Sequence, residues 1–216
     1  SRGLGDVYKR QEELESRGRT VMFVAVDGQA IGLLAVADRI KDDSREAIRL
    51  LHELGLETVM LTGDNERTAA AVAEEAGIDD VRAGLLPADK VDAINGLQAR
   101  GRTVAMVGDG INDAPSLIRA DVGIAIGTGT DIAIESADMI IVQGSLMGVV
   151  RAVRLSRATF RKIRQNLFWA YFYNTVAIPV AILGLLHPIL AEAAMAGSSI
   201  TVVANANSLR RARIDD

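Results

Sequence analysis

Apolar residues follow two different rhythms along this chain, and the change falls near Gly148. Before it, short β-branched runs alternate with stretches whose apolar positions recur every three or four residues. Thr20 to Val26 and residues 31–37 read as strands, with Asp27-Gly28 between them as a hairpin turn. Ser44 is placed to cap a helix on which Ala47, Ile48, Leu51 and Leu54 share one face, and Gly55 ends it. A short strand over 57–61, a helix from Glu66 to Ala76 and a helix opening at Pro87 follow. The order then runs strand 103–107, helix Ala114 to Arg119, strand Val122 to Ile126, a short helix near 131–136, and strand 139–142. Strands that are apolar on both faces, alternating with helices, predict an α/β fold: a Rossmann-like, doubly wound parallel sheet with right-handed crossovers.

Beyond Gly148 the rhythm is that of long helices. Arg151, Arg154, Arg157, Arg161, Lys162 and Arg164 lie on a basic helix, with no acidic residue between Gln143 and Ala191. Residues 167–186 then carry no charge over 20 positions, enough to cross roughly 30 Å of hydrocarbon. His187-Pro188 makes a turn, residues 189–206 form a second, weaker apolar stretch, and Arg210, Arg211 and Arg213 follow. The expectation is a two-helix transmembrane hairpin with both outer ends on the cytoplasmic side, because both clusters of positive charge sit there.

Charge divides the chain the same way. Residues 1–150 hold 15 Lys/Arg against 25 Asp/Glu, and residues 151–216 hold 9 against 3. An acidic front and a basic, apolar rear imply two solvents, water and lipid bilayer, rather than a nucleic-acid surface. Aromatic residues at 4%, without basic interleaving, also argue against base stacking. With no cysteine there is neither a disulfide framework nor a Cys-based zinc site. The four segments expected are 1–11, a non-native leader by its composition, with helix resuming near Glu12; 12–37; 38–148; and 149–216.

The chemistry gathers at the C-terminal ends of the expected parallel strands, where open α/β sheets bind ligands. Thr62-Gly63-Asp64-Asn65 sets a hydroxyl and a glycine N–H before a helix start, an anion site in form. Gly108-Asp109-Gly110-Ile111-Asn112-Asp113-Ala114-Pro115 sets two carboxylates four residues apart at a glycine-rich strand end, suited to Mg²⁺ that also binds substrate phosphate. Lys90, on the helix begun at Pro87, can neutralise a transferring phosphoryl group.

Hydroxyl, lysine and paired Asp in this order resemble the later motifs of the haloacid-dehalogenase-like phosphotransferases. Read as TGDN, PADK and GDGINDAP, they resemble those of P-type ATPases more closely still. That resemblance covers Thr20 to the C-terminus and implies ATP hydrolysis through an aspartyl-phosphate intermediate. Thr62 and Lys90 would hold the phosphoryl group, and Gly63 and Asp64 would complete that loop. Asp109 would bind Mg²⁺, while Asn112 and Asp113 would orient phosphate and metal. Asp38, in ADRIK, resembles the hinge returning from a nucleotide-binding domain. The DKTG-type motif that carries the nucleophile in that family does not occur here, so these 216 residues alone are expected not to turn over ATP.

Polar residues inside apolar helices mark ion paths. Tyr173-Asn174 lies mid-helix near Pro179, and Met195, Ser198 and Ser199 form a polar, sulfur-bearing face. A thioether suits a soft ion such as Cu⁺, while small residues with a gap-filling Met also serve plain helix packing. FWAYFYN followed by MAGSS resembles the last two helices of copper(I)-exporting heavy-metal pumps. The resemblance implies Cu⁺ as cargo, upstream domains and a copper chaperone as partners, and a multi-pass membrane protein with its catalytic domain in the cytoplasm. A zinc/cobalt-type pump, a membrane-anchored phosphatase and a non-catalytic module are the competing readings. Glu192 reads as interfacial, and His52 and His187 as surface or turn residues.

Overall fold

The alternating pattern produces parallel strand pairing, as expected, in a computed structural model that describes residues 2–15, 20–26, 29–36, 40–108, 111–127, 135–184 and 187–211. The elements are α1 (Arg2–Glu15), β1 (Thr20–Val26), β2 (Gln29–Val36), α2 (Ser44–Glu53), β3 (Val59–Leu61), α3 (Glu66–Ala76), β4 (Asp80–Arg82) and α4 (Pro87–Ala99). They continue as β5 (Ala105–Gly108), a 3₁₀ turn (Ile111–Asp113), α5 (Ala114–Arg119), β6 (Val122–Ile126), β7 (Met139–Ile141), α6 (Met147–Ile182) and α7 (Pro188–Asn207). The chain divides into two units, Ser1–Val150 and Arg151–Asp216.

In the first unit β1 and β2 pair antiparallel from Thr20 opposite Val36 to Val26 opposite Gln29; the expected turn, Asp27-Gly28, lies outside the described residues. Helix α1 starts at Arg2 rather than near Glu12, so the segment set aside by composition is helical. Its Tyr8 ring meets Phe23 of β1 edge-on at 5.8 Å, a contact the unusual composition does not announce.

The single expected sheet is observed as two parallel sheets, β3-β4 and β5-β6-β7. Among the described residues β3 pairs only with β4, and β5 only with β6. The sheets are joined by side chains: Leu61 of β3 packs against the buried cluster of Ile94, Met106 and Leu117 from α4, β5 and α5. Periodicity reveals that a strand exists but not which strand lies beside it. A second cluster buries Ala47, Ile48, Leu50 and Leu51 of α2 against Ile124, Ile141, Val149 and Val150. The start of α6 is thereby fixed to the sheet, and Gly148 permits the approach: a Cβ there would lie 2.2 Å from Ile141 Cγ2. The expected helix near 131–136 falls largely outside the described residues.

Ser44 does not cap α2. It is the first helical residue, and Asp43 at the cap position makes no capping hydrogen bond because its carboxylate accepts from the Ser145 hydroxyl instead. Ser145 Oγ in turn accepts from Met147 N at 3.0 Å, and Lys41 donates to the Gly144 carbonyl, so the start of α6 is tied to the segment before α2.

The second unit contains the remainder of α6 and α7; residues 183–184 form a turn after α6, and Pro188 is the first residue of α7 rather than part of the expected turn. The basic stretch and first apolar stretch form one helix of 36 residues, roughly 54 Å long. Among the described residues, however, no helix is long and apolar enough to cross a membrane, against the expected hairpin. The physical reason lies in composition. Tyr171, Tyr173, Asn174 and Thr175 dilute the apolar stretch of α6, and Glu192, Ser198, Ser199 and Asn205 that of α7.

Candidate active site

The Thr62 loop is stitched to the loop that launches α4. Thr62 N donates to Arg82 O at 3.0 Å, Leu85 N donates to Thr62 O at 3.0 Å, and Gly84 N donates to Asp64 O at 2.7 Å. Within the loop the Thr62 hydroxyl donates to Asp64 Oδ2 at 2.8 Å and accepts from Asp64 N at 3.1 Å. Asn65 closes the turn by capping α3, accepting from Thr68 N at 3.0 Å. Gly63 and Asp64 are exposed, as a loop receiving a diffusible anion requires.

Helix α4 starts with Pro87, and Leu86 N donates to Asp89 Oδ2 at 2.8 Å. One turn in, Lys90 Nζ donates to Asp113 Oδ1 at 2.7 Å, with both side chains mostly withdrawn from water. This contact joins two motifs separated by 23 residues. Gly108, ending β5, makes room for it: a Cβ there would lie 2.8 Å from Asp113 Cβ and 2.9 Å from Asp113 Oδ2. Asn112 is exposed on the 3₁₀ turn. Asp109 and Asp38 lie outside the described residues.

Among the described residues no group of three or more His, Cys, Asp or Glu forms a metal cluster. The donor set nevertheless fits Mg²⁺. A hard cation of this kind takes one or two carboxylates and completes its shell with water and phosphate oxygens. Asp113 supplies one carboxylate, with Oδ1 engaged by Lys90 and Oδ2 packed against Gly108.

Of the five residues expected on an ion path, the structure puts two on one footing. Tyr173 and Ser198 are half-buried, whereas Asn174, Met195 and Ser199 are exposed. Asn174 Nδ2 donates to Ala170 O on its own helix at 3.0 Å, and Tyr173 stacks obliquely on Trp169 at 6.3 Å. Glu192 is exposed. His187 caps α7, accepting from Ile189 N at 3.4 Å. Sequence reading missed two polar clusters. His52 Nε2 lies 3.0 Å from Thr58 Oγ1 and 2.9 Å from Asp79 Oδ2. Asn205 links to Lys162 and Asn166 across the two helices of the second unit. The signal available for the latter was two Asn residues at the polar margins of apolar helices.

Thr62, Lys90 and Asp113 lie on the segments that follow β3, β4 and β5 in turn. The chain belongs to the haloacid dehalogenase-like hydrolase family, whose model matches residues 2–121. It is 58% identical over 199 residues to the probable copper-exporting P-type ATPase V of Mycobacterium tuberculosis (strain CDC 1551 / Oshkosh), covering 92% of this chain and 26% of that protein. It is 55% identical over 209 residues to the copper-exporting P-type ATPase of Bacillus subtilis (strain 168), covering 97% and 26%. The chain thus spans about a quarter of the length of the curated relatives it matches. The crystal structure of a zinc-transporting PIB-type ATPase in its E2.Pi state superposes with a TM-score of 0.84 at 42% identity, covering 94% of this chain and 33% of that one.

Proposed function

We propose that this chain supplies the phosphoryl- and Mg²⁺-holding part of an ATP-driven Cu⁺ exporter, together with two helices of its cation path. The observation that carries the reading is the Lys90–Asp113 contact beside a Thr62 loop that is hydrogen-bonded to the start of α4. Ammonium and carboxylate come from separate motifs and meet directly, and the loop that carries the Thr62 hydroxyl is bonded to the segment opening the helix of Lys90. Asp109 and Asp113 would hold Mg²⁺, which when bound offsets charge on the phosphoryl oxygens. Lys90 neutralises the same group, and the Thr62 hydroxyl turns from Asp64 to donate to it. Asn112 orients the phosphate and Asp38 lies on the return from the nucleotide-binding part. ATP provides the phosphoryl group, and the carboxylate that receives it belongs to the rest of the pump.

In this reading α6 and α7 cross the bilayer within a larger bundle, where neighbouring helices shelter the polar residues that keep each from being apolar enough alone. Tyr173, Asn174, Met195, Ser198 and Ser199 line the path, and a thioether among them favours a soft ion. The copper-exporting description of relatives at 58% and 55% identity supports Cu⁺ over the zinc of the structural neighbour at 42%. The catalytic unit faces the cytoplasm and a copper chaperone delivers the ion. Metal-stimulated phosphorylation from ATP in the complete pump tests all of this. Met195→Ala should weaken stimulation by Cu⁺; unchanged Cu⁺ response with Zn²⁺ or Co²⁺ dependence intact would reject the ion, and absence of any acid-stable phosphoenzyme would reject the enzyme.

A further inference from the structure

Helices α6 and α7 each carry a half-buried stripe. On α6 it runs through Lys162, Asn166, Ala170, Tyr173 and Ala177, and on α7 through Ala194, Ser198, Thr201 and Asn205. The spacing is three or four residues on both, the spacing of one helix face. One polar cluster crosses that seam. Lys162 Nζ donates to Asn205 Oδ1 at 2.9 Å, and Asn205 Nδ2 donates to Asn166 Oδ1 at 2.7 Å. With Asn166 opposite Asn205, seven residues along α6 correspond to seven residues back along α7, a rise of roughly 10 Å on each. That step brings Tyr173 level with Ser198. Intermediate and further steps bring Ala170 level with Thr201 and Ala177 level with Ala194, so every pair falls on the half-buried stripes.

We propose that Asn205, with Asn166 and Lys162, is a positioning lock that sets the register of α6 against α7 and so holds Tyr173 level with Ser198. A single polar pair in an apolar seam fixes register because a slip leaves donor and acceptor unpaired while costing the apolar contacts little. Small residues at the other levels, Ala170, Ala177 and Ala194, permit close approach but match one another in several registers, so they cannot select one. Asn205 is suited to the role because its amide is satisfied at both ends, accepting from the amine and donating to the second Asn. The consequence for transport rests on the proposed cation path through Tyr173 and Ser198, whereas the register itself does not.

The test uses disulfide cross-linking in the complete protein in lipid vesicles, on a background in which every cysteine outside these 216 residues is replaced; this chain itself has none. The pair Ala170→Cys/Thr201→Cys should cross-link with diamide, and the off-register pair Ala170→Cys/Ala194→Cys should not. Asn205→Leu should abolish the first cross-link, while Asn166→Asp, which keeps the acceptor, should retain it. Equal cross-linking with and without Asn205→Leu, or cross-linking of both pairs in the parent, overturns the lock. Separately, Asn205→Leu should raise the metal concentration for half-maximal ATPase activity about tenfold with kcat little changed. Loss of the cross-link without that shift leaves the lock standing and removes the cation path through these two residues.

Discussion

Lys90 Nζ lies 2.7 Å from Asp113 Oδ1, with the two side chains only 16% and 14% exposed. Each charge compensates the desolvation of the other, so removing one leaves its partner buried and unpaired. Lys90→Met or Asp113→Asn should each lower the unfolding free energy by about 2–4 kcal/mol. The double variant should lose clearly less than the sum, because it leaves no orphaned charge. Urea melts of the four proteins form the cycle. Additive losses would mean that the two groups do not stabilise one another.

Gly108 is the residue that lets Asp113 reach this position. Alanine there would bring a methyl group to 2.8 Å from Asp113 Cβ and 2.9 Å from Oδ2, closer than non-bonded atoms sit. Asp113 would have to withdraw, loosening its contact with Lys90 and its approach to a cation. Gly108→Ala should cost about 1–3 kcal/mol in stability through overpacking. It should also weaken Mg²⁺-dependent phosphate binding about tenfold. Calorimetric titration with Mg²⁺ and inorganic phosphate measures the second effect, and wild-type binding by Gly108→Ala would exclude Asp113 as a metal-facing group.

Much of this site was legible because its motifs are local. TGDN and GDGINDAP each put their polar groups within a few residues of a strand end, where the fold class alone says ligands bind. The partnership of Lys90 with Asp113 was legible only as a shared ligand, since 23 residues separate them and nothing in either segment encodes a direct contact. Strand β4 escaped notice because Asp80, Val81 and Arg82 are too few for their alternation to register and include no apolar run; its pairing with β3 makes it a strand. Ser44 and Asp43 are equally good caps by residue type, so the local sequence does not choose between them. The carboxylate that would compete for the role is drawn away by Ser145, 102 residues later. The helices of the second unit were found at nearly their observed bounds, while their register was not, because small residues pair equally well in several alignments.

Asp79 ties the start of β3 to the loop before β4. Its Oδ2 accepts from Thr58 N at 2.7 Å and from the Thr58 hydroxyl at 2.9 Å. The backbone bond from Thr58 is the main cause holding this carboxyl below its ordinary pKa, with the Thr58 hydroxyl and nearby His52 adding to it. A depressed folded-state value stabilises the protein fully above the unfolded-state pKa of about 4. That contribution is lost as pH falls through the lower folded value. Since the side chain is 48% exposed, solvent screening keeps the effect small. Asp79→Asn should therefore flatten the acid limb of the stability profile below pH of about 4. Urea midpoints on either side of that pH decide it: parallel acid limbs for parent and variant would remove Asp79 as a contributor.

Ser116, in the first helical turn after Asp113, is fully buried, and its hydroxyl has no hydrogen-bond partner among the described residues. Neighbouring Leu117 belongs to the cluster with Ile94 and Met106 that joins the two parallel sheets, so α5 is pressed into the core on this side. An unsatisfied buried hydroxyl opposes folding, and alanine is also the better helix former. Ser116→Ala should accordingly raise stability by about 0.5–1 kcal/mol. The same burial leaves no room for growth, so Ser116→Val should cost about 1–3 kcal/mol by overpacking. Because this hydroxyl is hydrogen-bonded to neither Lys90 nor Asp113, Ser116→Ala should leave Mg²⁺-dependent phosphate binding unchanged. Thermal melts of the two variants test the opposite signs. A loss of stability in Ser116→Ala would show that the hydroxyl is satisfied in solution, and a gain in both variants would show a cavity beside it.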